Sequence, residues 1–159
     1  MTMKIAIGAD HLGAPLKEEI AALLRERQIE FQDFGALAGE AVDYPDVAER
    51  VAQSISDGRC ERGILVCGTG IGMAIAANKV PGIRAAVVHD PYSAERSRKS
   101  NNAQILAMGA LVIGAPVARH LVSIWLESEF QGGDSARKVE KIALIESRQA
   151  CSLGGAGKL

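Results

Sequence analysis

Short β-rich runs alternate with longer amphipathic segments along this chain, and that alternation restricts its fold more than any other feature. Residues 4–10 (KIAIGAD), 30–35 (EFQDFG), 63–68 (GILVCG), 83–88 (IRAAVV) and 103–114 (AQILAMGALVIG) read as strands, the last as one strand or a bent pair. Residues 14–28, 43–58, 71–79, 91–102, 115–129 and 135–148 read as helices, with Pro15 in a first turn and Gly58 at a C-terminal stop. Repeated strand–helix–strand order calls for right-handed crossovers. The expected architecture is therefore α/β: a three-layer α/β/α sandwich around a Rossmann-like, five-stranded parallel sheet.

At 159 residues and 48% hydrophobic, the chain holds enough apolar material for one core, expected over residues 1–147, with 148–159 a flexible C-terminal tail. Eighteen basic residues against nineteen acidic ones leave a net charge of −1, so nothing draws the chain to nucleic acid or to an anionic membrane surface. The opening MTMKIAIGAD has no signal-peptide pattern, and no apolar run approaches the roughly 18 residues of a membrane span. A cytoplasmic location is the expectation. Cys60, Cys67 and Cys151 are odd in number and form no CxxC, which suits a reducing compartment. The three histidines and three cysteines show no metal-ligand spacing.

Ligands of open α/β sheets sit at the carboxyl ends of the strands. There the first strand runs into Asp10 and His11, the third into Cys67, Gly68, Thr69, Gly70, Ile71 and Gly72, and the fourth into His89 and Asp90. Glycines ahead of a helix let bare N–H groups and the positive end of the helix dipole converge on an oxyanion. A thiol in that field is a usable base or nucleophile.

Each signal also has a plainer reading. Cysteine at the end of a buried strand is also simply a small apolar residue. The glycine loop with Asp90 about 20 residues on resembles a dinucleotide fingerprint, but Met73 stands where the third glycine of GxGxxG belongs, and the loop follows the third strand instead of the first. GADHLG matches half of a P-loop without the GK[ST] that should follow. His120 reads as a surface or packing residue, and the basic residues of ERSRKS and ARKVEK as solvated helix faces.

Taken together, IAIGADHLGAPLKEEI, DYPDVA, GILVCGTGIGMAIAANKVPGIRAAV, PYSAERSRKSNNAQILAMG and VEKIALIE resemble the ribose-5-phosphate isomerase B family, which includes the galactose-6-phosphate isomerase subunits. The resemblance implies interconversion of an aldose phosphate, ribose 5-phosphate first, with its ketose through an enediolate. It also implies no metal or organic cofactor, and a homodimer or dimer of dimers. It casts Cys67 as the proton-shuttling base beside Thr69, with Gly68, Gly70, Ile71 and Gly72 receiving the enediolate. Asp10 and Asn101 match positions that hold sugar hydroxyls, His11 one near the phosphate end, and Tyr44 and Thr69 substrate-facing ones.

Several positions depart from the family pattern. The histidine credited with opening the furanose ring would fall at Ser100, and topology offers His89, oriented by Asp90, as a replacement. Leu111 and Asp134 stand where arginines are expected and Ser135 where a histidine is. Lys138 takes the last arginine's place with Arg137 beside it, and lysine offers a point charge where arginine offers a fork. These departures keep open a tetrose or hexose phosphate as substrate and a catalytically weak sugar-phosphate binding protein, while the glycine loop and Asp90 keep open a nucleotide-binding module.

Overall fold

The computed structural model describes residues 3–36 and 41–154. In chain order the elements are β1 (Lys4–Ala9), α1 (Ala14–Glu26), β2 (Glu30–Asp33), α2 (Tyr44–Ser56), β3 (Arg62–Cys67), α3 (Ile71–Ala77), β4 (Ala85–Val87), α4 (Pro91–Lys99), β5 (Ile105–Gly109), α5 (Ala115–Glu127) and α6 (Asp134–Gly154). The five strands form one parallel sheet in the order β2-β1-β3-β5-β4. All six residues of β3 are buried, as a central strand covered on both faces must be.

Two apolar clusters pack against the two faces. One gathers Leu16, Ile20 and Leu24 of α1, Ala94 of α4, and Leu121 and Trp125 of α5. The other gathers Val47 and Val51 of α2 with Met73 and Ala77 of α3. The chain leaving β1, β4 or β5 therefore turns to one face, while the chain leaving β3 turns to the other. That divergence opens a crevice at the carboxyl end of β3, where Cys67 ends the strand.

The expected sandwich and parallel sheet are present, with corrections to its parts. Residues 103–114 hold a single strand, Ile105–Gly109, because the chain turns at once into α5. Helix α4 ends at Lys99, and Asn102 takes a positive φ of 48° in the turn that follows. Helix α6 runs on to Gly154, through the first residues of the expected flexible tail, and residues 155–159 lie outside the described residues. Among the described residues no helix is long and apolar enough to cross a membrane.

Three cations are buried against expectation. Lys17 has no exposed surface and donates to both carboxylate oxygens of Asp33, at 2.8 and 2.7 Å, and to the Ala36 carbonyl at 2.9 Å. Arg62 donates to the carbonyls of Trp125, Leu126 and Ser128 and pairs with Glu129, binding the end of α5 to the start of β3. Arg98, placed on a solvated face by its sequence context, is 6% exposed and donates to the Ala103 carbonyl at 2.9 Å. Burial, aided by the nearby Arg62 charge, lowers its pKa to about 10, which leaves it charged at neutral pH.

Candidate active site

Cys67 is 5% exposed and closes β3. The chain then makes a tight turn whose third residue, Gly70, adopts φ 79° and caps α3. From that conformation its N–H reaches back to Cys67 Sγ at 3.0 Å. An amide donor aimed at sulfur suits an anionic sulfur better than a neutral thiol, because hydrogen bonds to charged acceptors are the stronger ones. Thr69 Oγ1 takes the N–H of Ile71 at 3.3 Å. Two amides expected to face an anion are thus engaged within the loop.

The loop rests on β5. A Cβ built on Gly109 would lie 2.6 Å from Thr69 Cα and 2.7 Å from the Gly68 oxygen, and one on Gly70 would lie 2.9 Å from the Met108 backbone. Ala110 and Leu111 donate their N–H groups to the carbonyls of Cys67 and Gly68, at 2.8 and 3.1 Å. Side chains of Leu12 and Leu111 flank Gly68. Leu12, Gly109 and Met108 were not among the residues singled out from sequence. Gly109 lies within the fifth apolar run, and nothing local marks it as the floor of a loop that precedes it by forty residues.

The turn after β1 forms the facing wall. Asp10 is 7% exposed; its N–H donates to the Val66 carbonyl at 3.2 Å, and its Oδ1 accepts the N–H of Gly13 at 2.9 Å. His11 is exposed and borders an open depression of about 400 Å³ with Ala41, Val42, Asp43 and Asp46. Tyr44 opens α2, and its ring lies so close over Gly72 that a Cβ there would meet Cε2 at 2.6 Å. Asp10, His11 and Cys67–Gly72 therefore share the carboxyl edge, where strand ends were expected to meet, and Tyr44 lies there beside Gly72.

His89 also reaches this edge, with its Nε2 accepting the N–H of Gly109 at 2.9 Å. Asp90 does not orient it through any hydrogen bond in this structure. It caps α4 by accepting the N–H of Ser93 at 2.8 Å, and hydrogen bonds from Ser93 hold its carboxyl below the ordinary carboxylate value. That capping role also accounts for the acid that the dinucleotide pattern placed on a ribose.

Asn101, Arg137 and Lys138 lie elsewhere. Helix α4 runs back toward the start of β5, so Ser100 and Asn101 sit at the amino edge of the sheet, where Gln104 accepts the N–H of Gly63. Ser100 Oγ accepts Nε and Nη2 of Arg96 at 3.0 and 2.7 Å. Helix α6 is tied to the same edge by Gln131 N–H on the Lys99 carbonyl and by Glu146 on the Gly82 amide, with Arg137 and Lys138 exposed between those ties. The five steps between the six residues of β3, at about 3.3 Å each, separate the two edges by roughly 17 Å. Within one chain these three residues do not meet Cys67.

Among the described residues, no three of His, Cys, Asp and Glu cluster as a metal site would require. Comparison with known proteins matches residues 5–142 to the family described as Ribose/Galactose Isomerase. The chain is 54% identical over 146 residues to ribose-5-P isomerase B of Listeria innocua, covering 92% of this chain and 99% of that one. It is 52% identical over 148 residues to D-erythrulose-4-phosphate isomerase of Pectobacterium atrosepticum, covering 92% and 97%. Among solved structures, ribose-5-phosphate isomerase B of Clostridium thermocellum superposes with a TM-score of 0.91 at 52% identity, covering 92% of this chain and 99% of that one. With residues 5–142 matched by the family and 92% of its length covered by these relatives, the chain belongs to the ribose/galactose isomerase family.

Proposed function

We propose that this enzyme, an aldose–ketose isomerase by family, interconverts ribose 5-phosphate and ribulose 5-phosphate through a cis-enediolate, with Cys67 as the base. The observation that carries the reading is the Gly70 N–H held on Cys67 Sγ at 3.0 Å inside a loop otherwise built of backbone. The Cys67 thiolate takes the proton from C2 of the open-chain aldose. Charge passes to the oxygens, where the amides of Gly68 and Gly72 and the Thr69 hydroxyl receive it. The thiol then returns its proton to C1 while the proton of the C2 hydroxyl passes to O1, which leaves a C2 ketone and a C1 hydroxyl. General acid–base transfer of this kind is typically worth about 10²–10⁴-fold, and each amide donor on the oxyanion a comparable amount. Asp10, fixed through one oxygen by Gly13, offers the other to a sugar hydroxyl.

The reading includes a homodimer, each rim completed by the amino edge of its partner. Among the described residues, the depression beside His11 is lined by two carboxylates and no lysine or arginine, whereas a phosphate dianion needs a cation. Exposed cations sit on α6, whose Leu144 and Ile145 stay 53% exposed, apolar surface of the kind a partner covers. Asn101, Arg137 and Lys138 of the partner subunit would then meet Cys67 of the first.

A four-carbon substrate is the second reading. Ser100 is engaged with Arg96, and a tetrose 4-phosphate forms no furanose that must be opened. The 52% identical relative named for erythrulose 4-phosphate agrees with it.

One experiment addresses chemistry and substrate together. Four-, five- and six-carbon aldose phosphates are incubated in heavy water with the wild type and with Cys67→Ala, and deuterium next to the carbonyl is followed by NMR. Incorporation with wild type alone, fastest for ribose 5-phosphate, is expected. A faster tetrose selects the second reading, and no exchange with any of them rejects both. Mixing Cys67→Ala with Lys138→Ala, each inactive alone, tests the shared site. Random reassociation restores about a quarter of the sites if each draws on two chains.

A further inference from the structure

The His89 ring has its lone pair engaged within the chain. Nε2 accepts the Gly109 N–H at 2.9 Å, which requires a neutral imidazole with its proton on Nδ1. The local topology explains why a side chain does this. The last backbone bond between β4 and β5 runs from Val88 N–H to the Ala107 carbonyl, at 2.9 Å. Beyond it β4 turns away toward Asp90 and α4, so the next β5 amide facing that side, Gly109, meets an imidazole in place of a carbonyl. Successive amides of a strand alternate sides, and Ala110 accordingly points its N–H the other way, to the Cys67 carbonyl.

The peptide unit pinned in this way is the floor of the catalytic loop. Its Met108 half lies where a Cβ on Gly70 would be, and its Gly109 half lies under Thr69. Gly70 is the residue whose N–H sits on Cys67 Sγ. A tilt of the Met108–Gly109 peptide is therefore passed directly to the donor on the sulfur. No intervening side chain absorbs it, because Gly70 and Gly109 have none.

We propose that His89 is a positioning residue: through the Gly109 amide it sets the Cys67–Gly70 loop, and it transfers no proton to or from the sugar. The proposal deepens the isomerase reading of the same site and rests on it, replacing the ring-opening role that topology suggested for this histidine.

The test compares His89→Leu, which has no acceptor, His89→Asn, whose oxygen is too short to reach Gly109, and His89→Gln, whose Oε1 can take the place of Nε2. Turnover is measured on ribose 5-phosphate and on erythrose 4-phosphate, and Gly109 amide exchange is measured by NMR without substrate. Misplacing reacting groups by about 1 Å costs about 10²-fold, so Leu and Asn should lose about that factor in kcat on both sugars, with KM changed less than about threefold. His89→Gln should recover at least about tenfold of the loss, since rescue follows the hydrogen bond. Gly109 exchange should be slow in wild type and Gln, and fast in Leu and Asn. If Leu fails to fold, the Asn–Gln pair decides. Loss in all three variants on the pentose but in none on the tetrose would identify His89 as a ring-opening group and overturn the proposal. Unchanged Gly109 protection in Leu or Asn overturns it as well. If wild type turns over no sugar phosphate, the isomerase reading fails, while the exchange result still decides whether His89 holds Gly109.

Discussion

Gly70 directs its N–H at the sulfur of Cys67 across 3.0 Å, from a backbone φ of 79° that residues with side chains rarely adopt. Cys67→Ala should lower kcat by at least about 10²–10⁴-fold and leave the melting temperature nearly unchanged. Gly70→Ala should lower both, because the conformation costs about 1–3 kcal/mol and the new methyl meets the Met108 backbone at 2.9 Å. Thermal melts run beside steady-state kinetics separate the two. A Cys67→Ala enzyme with wild-type kcat would remove the thiol from the mechanism.

Gly109→Ala tests the floor of the loop. Its methyl would lie 2.6 Å from Thr69 Cα, a backbone atom that cannot rotate away. Overpacking of this kind costs about 1–3 kcal/mol, and relief requires lifting the loop that carries the amides. Turnover should fall further than stability alone accounts for. A variant with unchanged kcat at a temperature where it is fully folded would show that the loop tolerates the shift.

Lys17 anchors the segment after β2 beneath α1. Its buried ammonium holds Asp33 and the Ala36 carbonyl, so Lys17→Met leaves the 28% exposed Asp33 without its counter-charge. Breaking one half of a buried pair costs about 3–5 kcal/mol, and the partial exposure of Asp33 places this case near the lower figure. Adding Asp33→Asn to Lys17→Met should return part of it. Urea unfolding measures both, and a single-variant loss under about 1 kcal/mol would show the pair to be dispensable.

Asp90 supplies a pH dependence whose sign is fixed. Hydrogen bonds from Ser93 lower its folded pKa beneath the ordinary 3.8. The stabilisation is therefore complete above that value and disappears as pH falls through the lower folded one. The melting temperatures of wild type and Asp90→Ala should differ near about pH 6 and converge only as pH falls below the folded value. A gap that persists in acid would mean that the cap does not depend on the carboxylate charge.

What could be read from the residues divides by range. Strands and helices were legible because period and end signals are local, and the misread ends are places where tertiary contacts intervene. Residues 105–114 carry no polar side chain, yet the strand stops at Gly109, where the chain turns and Ala110 and Leu111 donate their N–H groups to the carbonyls of Cys67 and Gly68. Arg98 read as a solvated charge, and nothing local marked Lys17 as buried, because their acceptors, the Ala103 carbonyl for one and Asp33 for the other, come from segments that the fold brings to them.

For the site, the sequence by itself determined which residues share the carboxyl edge of the sheet. Asp10, His11 and Cys67–Gly72 end parallel strands, and strand ends on one side of a parallel sheet must share a rim. Only the tertiary structure decided that Asn101, Arg137 and Lys138 lie at the opposite edge. A helix returns the chain antiparallel to the strand before it, so residues that the resemblance groups with Cys67 stand a strand's length away in space. Only the structure, likewise, engages His89 with Gly109, because that bond depends on where β4 leaves the sheet.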